Sequence, residues 1–226
     1  MPATTSEGRV SIGKLILIPA LITLAITAIR LVGELQHWNP TLFNPAAGGG
    51  GALVGITWLV PIFGIYFAVR LCGAGAGPER VGRVFLFVLL AIIIMVAGIA
   101  IVSVMKLQPA VVGAVGAVSA LVSILIMAKP WPPLFKTLLA YGYAARIPVA
   151  ILMLFAIHGK WGTHYDAAPP GELSEMSWLA EWLRYGAIPQ LIGWIAFTII
   201  VGSLFGAITA ALMKRSKTRE HAATAS

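Results

Sequence analysis

The sequence predicts an all-α integral membrane protein, and its composition and its hydropathy pattern support this assignment. Of its 226 residues, 59% are hydrophobic and 11% are charged, whereas a soluble domain has about 25% charged residues. Apolar runs long enough to cross a bilayer recur along the whole chain. Few residues are left for a soluble module. We therefore predict a single polytopic membrane domain over residues 1–226, built as a bundle of six transmembrane helices.

The six predicted spans are separated by short segments rich in glycine, proline and charged residues. Their approximate bounds are 14–32, 52–72, 84–105, 110–128, 134–157 and 188–213. Pro61 lies near the middle of the second span, where a proline predicts a kink. The basic residues 214–226 after the last span form a predicted disordered tail.

Basic residues predict the orientation of these spans. Eleven lysines and arginines fall on one side of the predicted bundle, and three, Lys106, Lys160 and Arg184, fall on the other. The positive-inside rule then predicts both termini in the cytoplasm of a cell membrane, which we expect to be the bacterial inner membrane. The net charge of +8 comes largely from these flanks, and no basic stripe with interleaved aromatic residues lies outside them. Nucleic acid is therefore not an expected partner.

The outer segment 158–187 joins the last two spans and contains a predicted short amphipathic helix. Ser174 is its predicted N-cap, and apolar residues follow at helical spacing. These residues are Met176, Leu179, Trp182 and Leu183. The face is too short to cross a bilayer, so we predict an interfacial helix lying on the outer membrane surface.

Arg146 is a permanent cation in the middle of the fifth span. It lies about 15 Å from Lys136 along the helix axis, near the midplane of the hydrocarbon layer, where a charge needs polar partners. No aspartate or glutamate occurs in the membrane core of any predicted span. The predicted partners are Tyr143, one turn earlier, and the carbonyl of Ala144, which the missing N–H of Pro148 leaves free. Serine or threonine residues of another span and water are further predicted partners, and an anionic ligand or a carboxylate from another chain is the alternative.

Polar residues of the first span share one helix face that begins near mid-membrane and ends outside. They are Thr23, Thr27, Arg30, Glu34 and His37. One hypothesis makes this face a wall of a polar cleft that opens outward, with Gln190 of the last span facing the same cleft. The other hypothesis is structural: Arg30 reaches the outer surface, pairs with Glu34, and the threonines bond their own backbone.

The last span carries small residues at four-residue spacing: Gly202, Gly206 and Ala210. Such a seam allows two helix backbones to approach closely. We therefore predict a tight helix–helix contact there.

Two histidines and a carboxylate occur together in the outer segment, at His158, His164 and Asp166. These are zinc-ligand types, and His37 or Glu34 could complete a set of four. The spacing matches no metalloenzyme signature such as His-Glu-x-x-His. The sequence therefore predicts no particular cofactor, and a metal site at these residues is a hypothesis for the structure to examine.

Three functions follow as hypotheses. The first is a non-enzymatic accessory or scaffold subunit, whose partners would be the lipid bilayer and other membrane subunits or a second copy of the chain. The second is a transporter, channel or binder of a small anion or anionic lipid centred on Arg146, with Tyr143, Arg30, Glu34 and Gln190 as candidate ligand-binding residues. The third is a membrane enzyme that uses the outer histidines. A cleft that reaches Arg146 would favour the second hypothesis.

Overall fold

The computed structural model describes residues 10–105, 107–167 and 176–224, and across these residues the regular secondary structure is helical throughout. The predicted all-α fold class is confirmed for this part of the chain. The α-helices are α1 (Ile12–Leu35), α2 (Leu59–Gly73), α3 (Val81–Met105), α4 (Pro109–Met127), α5 (Pro132–Gly159), α6 (Trp178–Glu181) and α7 (Trp194–Thr224). Prolines occupy the first turns of α4 and α5, where the first backbone N–H groups have no intrahelical acceptor.

Four helical segments of the described chain are long and apolar enough to cross a membrane. They are Ile12–Leu35, Val81–Met105, Pro132–Gly159 and Trp178–Ser216. The apolar helices Leu59–Gly73 and Val111–Met127 are shorter. Large apolar side chains lie exposed on the long helices, such as Ile18, Ile99 and Phe155, as expected for helices that face lipid.

Helix α2 is shorter than the predicted second span. It begins at Leu59 rather than near residue 52, and residues 50–58 form turns and bends. Pro61 therefore lies in the first turn of α2 and not at its centre. A proline in the first turn removes an N–H that has no acceptor within the helix, so the predicted mid-span kink is wrong.

The chain from Trp178 to Thr224 is one continuous helical segment. Between α6 and α7 it passes through two π-helical stretches, Trp182–Ala187 and Pro189–Gly193. The prediction of an interfacial helix separate from a last span starting at Ile188 is therefore corrected, although Ser174 lies outside the described residues. Ser177 serves as the N-cap, since its hydroxyl accepts a hydrogen bond of 3.4 Å from the Ala180 N–H.

Helix α7 also continues past the predicted end of the last span. The predicted last span ends at residue 213 and is followed by a predicted disordered tail over 214–226. The tail prediction is wrong as far as residue 224, because the helix extends to Thr224. The basic and alanine residues beyond Met213 have high helix propensity, and no proline or glycine follows to end the helix.

Helix α7 is the centre of the bundle and packs against α2, α3, α4 and α5. Its small-residue seam lies at these contacts. A Cβ atom built on Gly64 of α2 would lie 2.6 Å from the carbonyl oxygen of Gly202, and one on Gly206 would lie 2.7 Å from the Leu134 side chain. The predicted close helix–helix contact is confirmed, because at Gly64 and Gly202 the two backbones approach more closely than a side chain at Gly64 would allow.

Candidate anion-binding cavity

A cavity of about 280 Å³ lies between the C-terminal half of α1, the second half of α5, the loops after α1 and after α5, and the π-helical stretches before α7. Apolar side chains form part of its wall, among them Ile26 of α1, Ile56 of the loop after α1, and Val149 and Met153 of α5. Polar and charged side chains share the wall with them. They are Thr27, Arg30, Thr57, Arg146, His164, Tyr165, Asp166, Glu181, Tyr185 and Gln190.

Arg146 lines this cavity and is only 4% exposed. Its Nη1 donates one hydrogen bond, at 3.2 Å, to Oε1 of Gln190, and its guanidinium lies 4.3 Å from the ring centroid of Trp194. The Gln190 amide is held in this orientation because its Nε2 donates to the Met153 sulfur at 3.5 Å. Of the five guanidinium N–H groups, four have no hydrogen-bond acceptor among the described residues, and no described carboxylate pairs with Arg146.

Arg30 has a different environment, because its charge is neutralised within the protein. Its Nε donates to Oε1 of Glu34 at 2.8 Å, and its Nη2 donates to the carbonyls of Gly49 at 3.0 Å and Asn44 at 3.3 Å. Arg30 and Glu34 are 7% and 3% exposed. Arg30 thus does not reach the surface as the structural hypothesis expected, although it does pair with Glu34.

His164 holds the other side of the Glu34 carboxylate. Its backbone N–H donates to Oε2 at 2.8 Å, and Nδ1 lies 2.6 Å from Oε1. Burial lowers the pKa of His164 below its ordinary value, the hydrogen bond to Glu34 opposes this, and the nearby charge of Arg30 lowers it further. A neutral ring donates from Nδ1, because an ionised carboxylate can only accept. Nε2 is then left as an acceptor at neutral pH.

Gly49 closes the loop over this cluster. Its φ of 67° lies in the left-handed region, which glycine occupies without steric cost. A Cβ atom at this position would also lie 2.8 Å from the His164 ring. Both facts explain why this position requires glycine.

Asp166 organises the loop that carries His164. Its carboxylate accepts from the backbone N–H groups of Gly162 at 2.8 Å and Thr163 at 2.7 Å, and from the Thr163 hydroxyl at 2.7 Å. Tyr165 anchors the same loop to α1, because its hydroxyl donates to the carbonyl of Thr27 at 3.4 Å. Burial raises the pKa of Tyr165, so the phenol stays protonated as this hydrogen bond requires.

The predicted partners of Arg146 on its own helix do not surround it. Tyr143 is 38% exposed. It precedes Arg146 by three residues, or about 300° around the helix axis, and this offset places it at the edge of the buried face of α5. The carbonyl of Ala144 receives no hydrogen bond from Arg146; the acceptor is Gln190 of the π-helical stretch instead. Of the five predicted ligand-binding residues, the cavity wall brings together Arg146, Arg30 and Gln190; Glu34 lies behind Arg30.

The predicted metal-ligating residues do not form one cluster. His158 is exposed and makes an edge-to-face contact with Trp178 at 4.8 Å. His37 is exposed after the end of α1, whereas His164 is bound to Glu34. Within the described chain no group of three metal-ligating side chains converges.

Four further residues that were not predicted as site residues also line the cavity. Trp194 supports the Arg146 guanidinium, and Tyr165 fastens the outer loop. Glu181 and Tyr185 precede Gln190 on the same helical segment and line the cavity with it. The sequence contained one signal for this shared face. Polar and aromatic residues recur there every four to five residues, a spacing that matches a π-helix better than an α-helix: Glu181, Tyr185, Gln190 and Trp194.

The arrangement provides a buried, only partly satisfied cation at the wall of an accessible cavity, and such a group can bind an anion through charge-assisted hydrogen bonds. Comparison of the chain with protein-family models, with curated proteins and with solved structures found no match.

Proposed function

We propose that this protein is a membrane-embedded binding protein for a small ligand that carries an anionic group, with Arg146 as the anchor of that group. The observation that supports the proposal is the Arg146 guanidinium itself. It is 4% exposed, makes one hydrogen bond to a neutral amide, and lines a cavity. A buried charge without a counter-ion is costly, and a bound carboxylate or phosphate would compensate it with charge-assisted hydrogen bonds.

The cavity suits a small ligand with an apolar body. Its volume of about 280 Å³ is near the lower limit for small-molecule sites. Ile26, Ile56 and Ile157 contribute apolar surface to the wall, and Gln190 and Trp194 hold Arg146 in place. A preformed site of this kind loses little free energy to ordering when a ligand binds.

The other two hypotheses have less support. A scaffold subunit was expected to expose a small-residue seam to a partner. The seam at Gly202 and Gly206 is occupied by α2 and α5, whereas Gly113 and Gly116 on α4 have open space beside them. A metal-dependent enzyme was expected to bring the outer histidines together, and in the described chain His158 and His164 have different neighbours. An accessory role in a larger membrane complex stays a prediction.

The first test measures the melting temperature of the purified protein in detergent, with hexanoate, inorganic phosphate and phosphatidylglycerol as probes. At 100 times its Kd, a ligand stabilises the folded state by about 2.7 kcal/mol. For a protein of this size that raises the melting temperature by roughly 5–10 °C. We expect at least one probe to do so in the wild type and none in Arg146→Gln.

Arg83→Gln is the matched control, because Arg83 contacts the Phe87 ring on α3 and does not line the cavity. It should keep the full shift. A wild-type melting temperature that no anion raises, or an equal shift in Arg146→Gln, would exclude Arg146 as the anchor.

The proposal includes the orientation of the bundle in a bacterial inner membrane. All six apolar helices cross, α1 and α7 both have their basic ends in the cytoplasm, and the cavity opens to the outer side. The distribution of basic residues, eleven against three, supports this orientation. The helical segment Trp178–Ser216 has 39 residues, more than the roughly 20 needed to cross, so its first turns lie at the outer interface.

Cysteine labelling tests the orientation in a Cys72→Ser background. Lys160 and Ser216 are both exposed. Lys160 follows the C-terminal end of α5, on the proposed outer side, and Ser216 lies in the C-terminal part of α7, on the proposed cytoplasmic side. In intact cells an impermeant maleimide should label Lys160→Cys, and it should label Ser216→Cys only after the cells are permeabilised. Labelling of Ser216→Cys in intact cells would reverse the proposed orientation.

A further inference from the structure

Four charged side chains line the cavity, and two of them are already bound within the protein. Arg30 is already paired with Glu34, and Asp166 already accepts three hydrogen bonds from its own loop. The other two charged groups of the wall have no ion-pair partner among the described residues. The buried Arg146 has a single hydrogen bond to a neutral amide, and the partly exposed Glu181 carboxylate has neither a hydrogen bond nor an ion pair with any described residue.

These two charges are of opposite sign and lie at different heights. Arg146 is held beside Gln190 and Trp194, and Glu181 precedes Gln190 by nine residues on the same helical segment. One ligand therefore needs two separate charged groups to reach both residues.

A ligand with an anionic group alone would satisfy Arg146 and leave Glu181 repelling it. A ligand with a cationic group at the other end would satisfy both charges of the wall at once. Ile26, Val149 and Met153 line the same cavity, so the part of the ligand between its charged ends should be apolar. A cavity of about 280 Å³ is near the lower limit for small-molecule sites, so this apolar part should also be short.

From this we infer that the ligand is a small zwitterion: an anionic group bound by Arg146, a short apolar body, and an amine bound by Glu181. The inference rests on the proposed function, because it assumes that Arg146 binds the anionic group. A straight-chain ω-amino acid has both charges and an apolar chain between them, and one of six carbons serves as the probe.

Two probes of equal length test the role of the amine. 6-Aminohexanoate carries both charges, whereas 6-hydroxyhexanoate replaces the ammonium with a neutral hydroxyl of similar size. In a melting-temperature titration at constant ionic strength, the half-maximal concentration should be roughly two- to fivefold lower for 6-aminohexanoate, which is the effect of one partly exposed ion pair.

Two variants assign the two ends of the ligand. Glu181→Gln should remove the preference for 6-aminohexanoate and keep the response to 6-hydroxyhexanoate. Arg146→Gln should remove the response to both probes. Glu79→Gln is the matched control, since Glu79 is exposed and lines a groove with Arg80 and Lys214 away from the cavity; it should behave as the wild type.

The outcomes separate this inference from the proposed function. Equal titrations for the two probes, or a preference that survives in Glu181→Gln, would overturn the zwitterion and leave anion binding intact. No response to either probe, together with a response to hexanoate or phosphate, would also overturn it. No response to any anion would overturn the proposed function itself.

Discussion

Glu34→Gln is expected to destabilise the protein by about 3 kcal/mol or more, although the substitution hardly changes the shape of the side chain. The Glu34 carboxylate is fully buried and binds Arg30 at 2.8 Å and His164 at 2.6 Å. Removal of its charge leaves the Arg30 guanidinium, 7% exposed, without a counter-ion. Loss of one partner of a buried ion pair costs about 3–5 kcal/mol, because the remaining charge is neither hydrated nor paired.

Thermal melting in detergent checks this result, with a decrease of about 6–12 °C expected at this size. Glu79→Gln is the control, because Glu79 is exposed and a surface substitution of this kind changes stability by at most about 0.5 kcal/mol. A loss below about 1 kcal/mol in Glu34→Gln would mean that the carbonyls of Gly49 and Asn44 suffice to stabilise the Arg30 charge.

The second large effect is expected at the contact between α2 and α7. In Gly64→Ala the new methyl group would lie 2.6 Å from the carbonyl oxygen and 2.8 Å from the Cα of Gly202. Both are backbone atoms, so the two helices must separate. Overpacking of this kind costs roughly 1–3 kcal/mol, and it outweighs the gain of about 1 kcal/mol that alanine brings to a helix.

Gly116→Ala provides the matched control on α4. Nothing lies within 4 Å of a Cβ atom built on Gly116, so only the propensity term applies there. Gly116→Ala should raise the melting temperature slightly, whereas Gly64→Ala should lower it by several degrees. If both substitutions shift it upward, the α2–α7 contact is looser than the described distances.

The central charge of the cavity was predictable from the sequence, but its neighbours were not. The sequence shows that Arg146 is a permanent cation within an apolar run and that no acidic residue lies in the membrane core of any predicted span. The structure agrees, since no described carboxylate pairs with Arg146. Its actual partners, Gln190 and Trp194, come from a segment about 45 residues away. Helical periodicity relates residues on one helix and contains no information about which helices meet.

The same distinction holds for the outer cluster. Spacing on α1 correctly predicted that Arg30 and Glu34 pair, because residues four apart share a helix face. The union of Glu34 with His164 depends on a loop 130 residues away, held by Asp166 and Tyr165. The sequence pattern grouped His164 and Glu34 only within a hypothetical zinc site, and it did not predict the direct hydrogen bond between them.

Composition and local pattern were thus enough for the helical class, for most helix positions and for the close contact at Gly202, since each depends on the solvent or on neighbours within a few residues. They did not predict the late start of α2 at Leu59 or the continuous segment from Trp178, where turns, π-helical bonding and packing override an apolar run. The cavity itself arises from tertiary structure. Its wall combines α1, α5, two loops and the approach to α7, and the opposite charges of Arg146 and Glu181 share one space because of how these elements pack together.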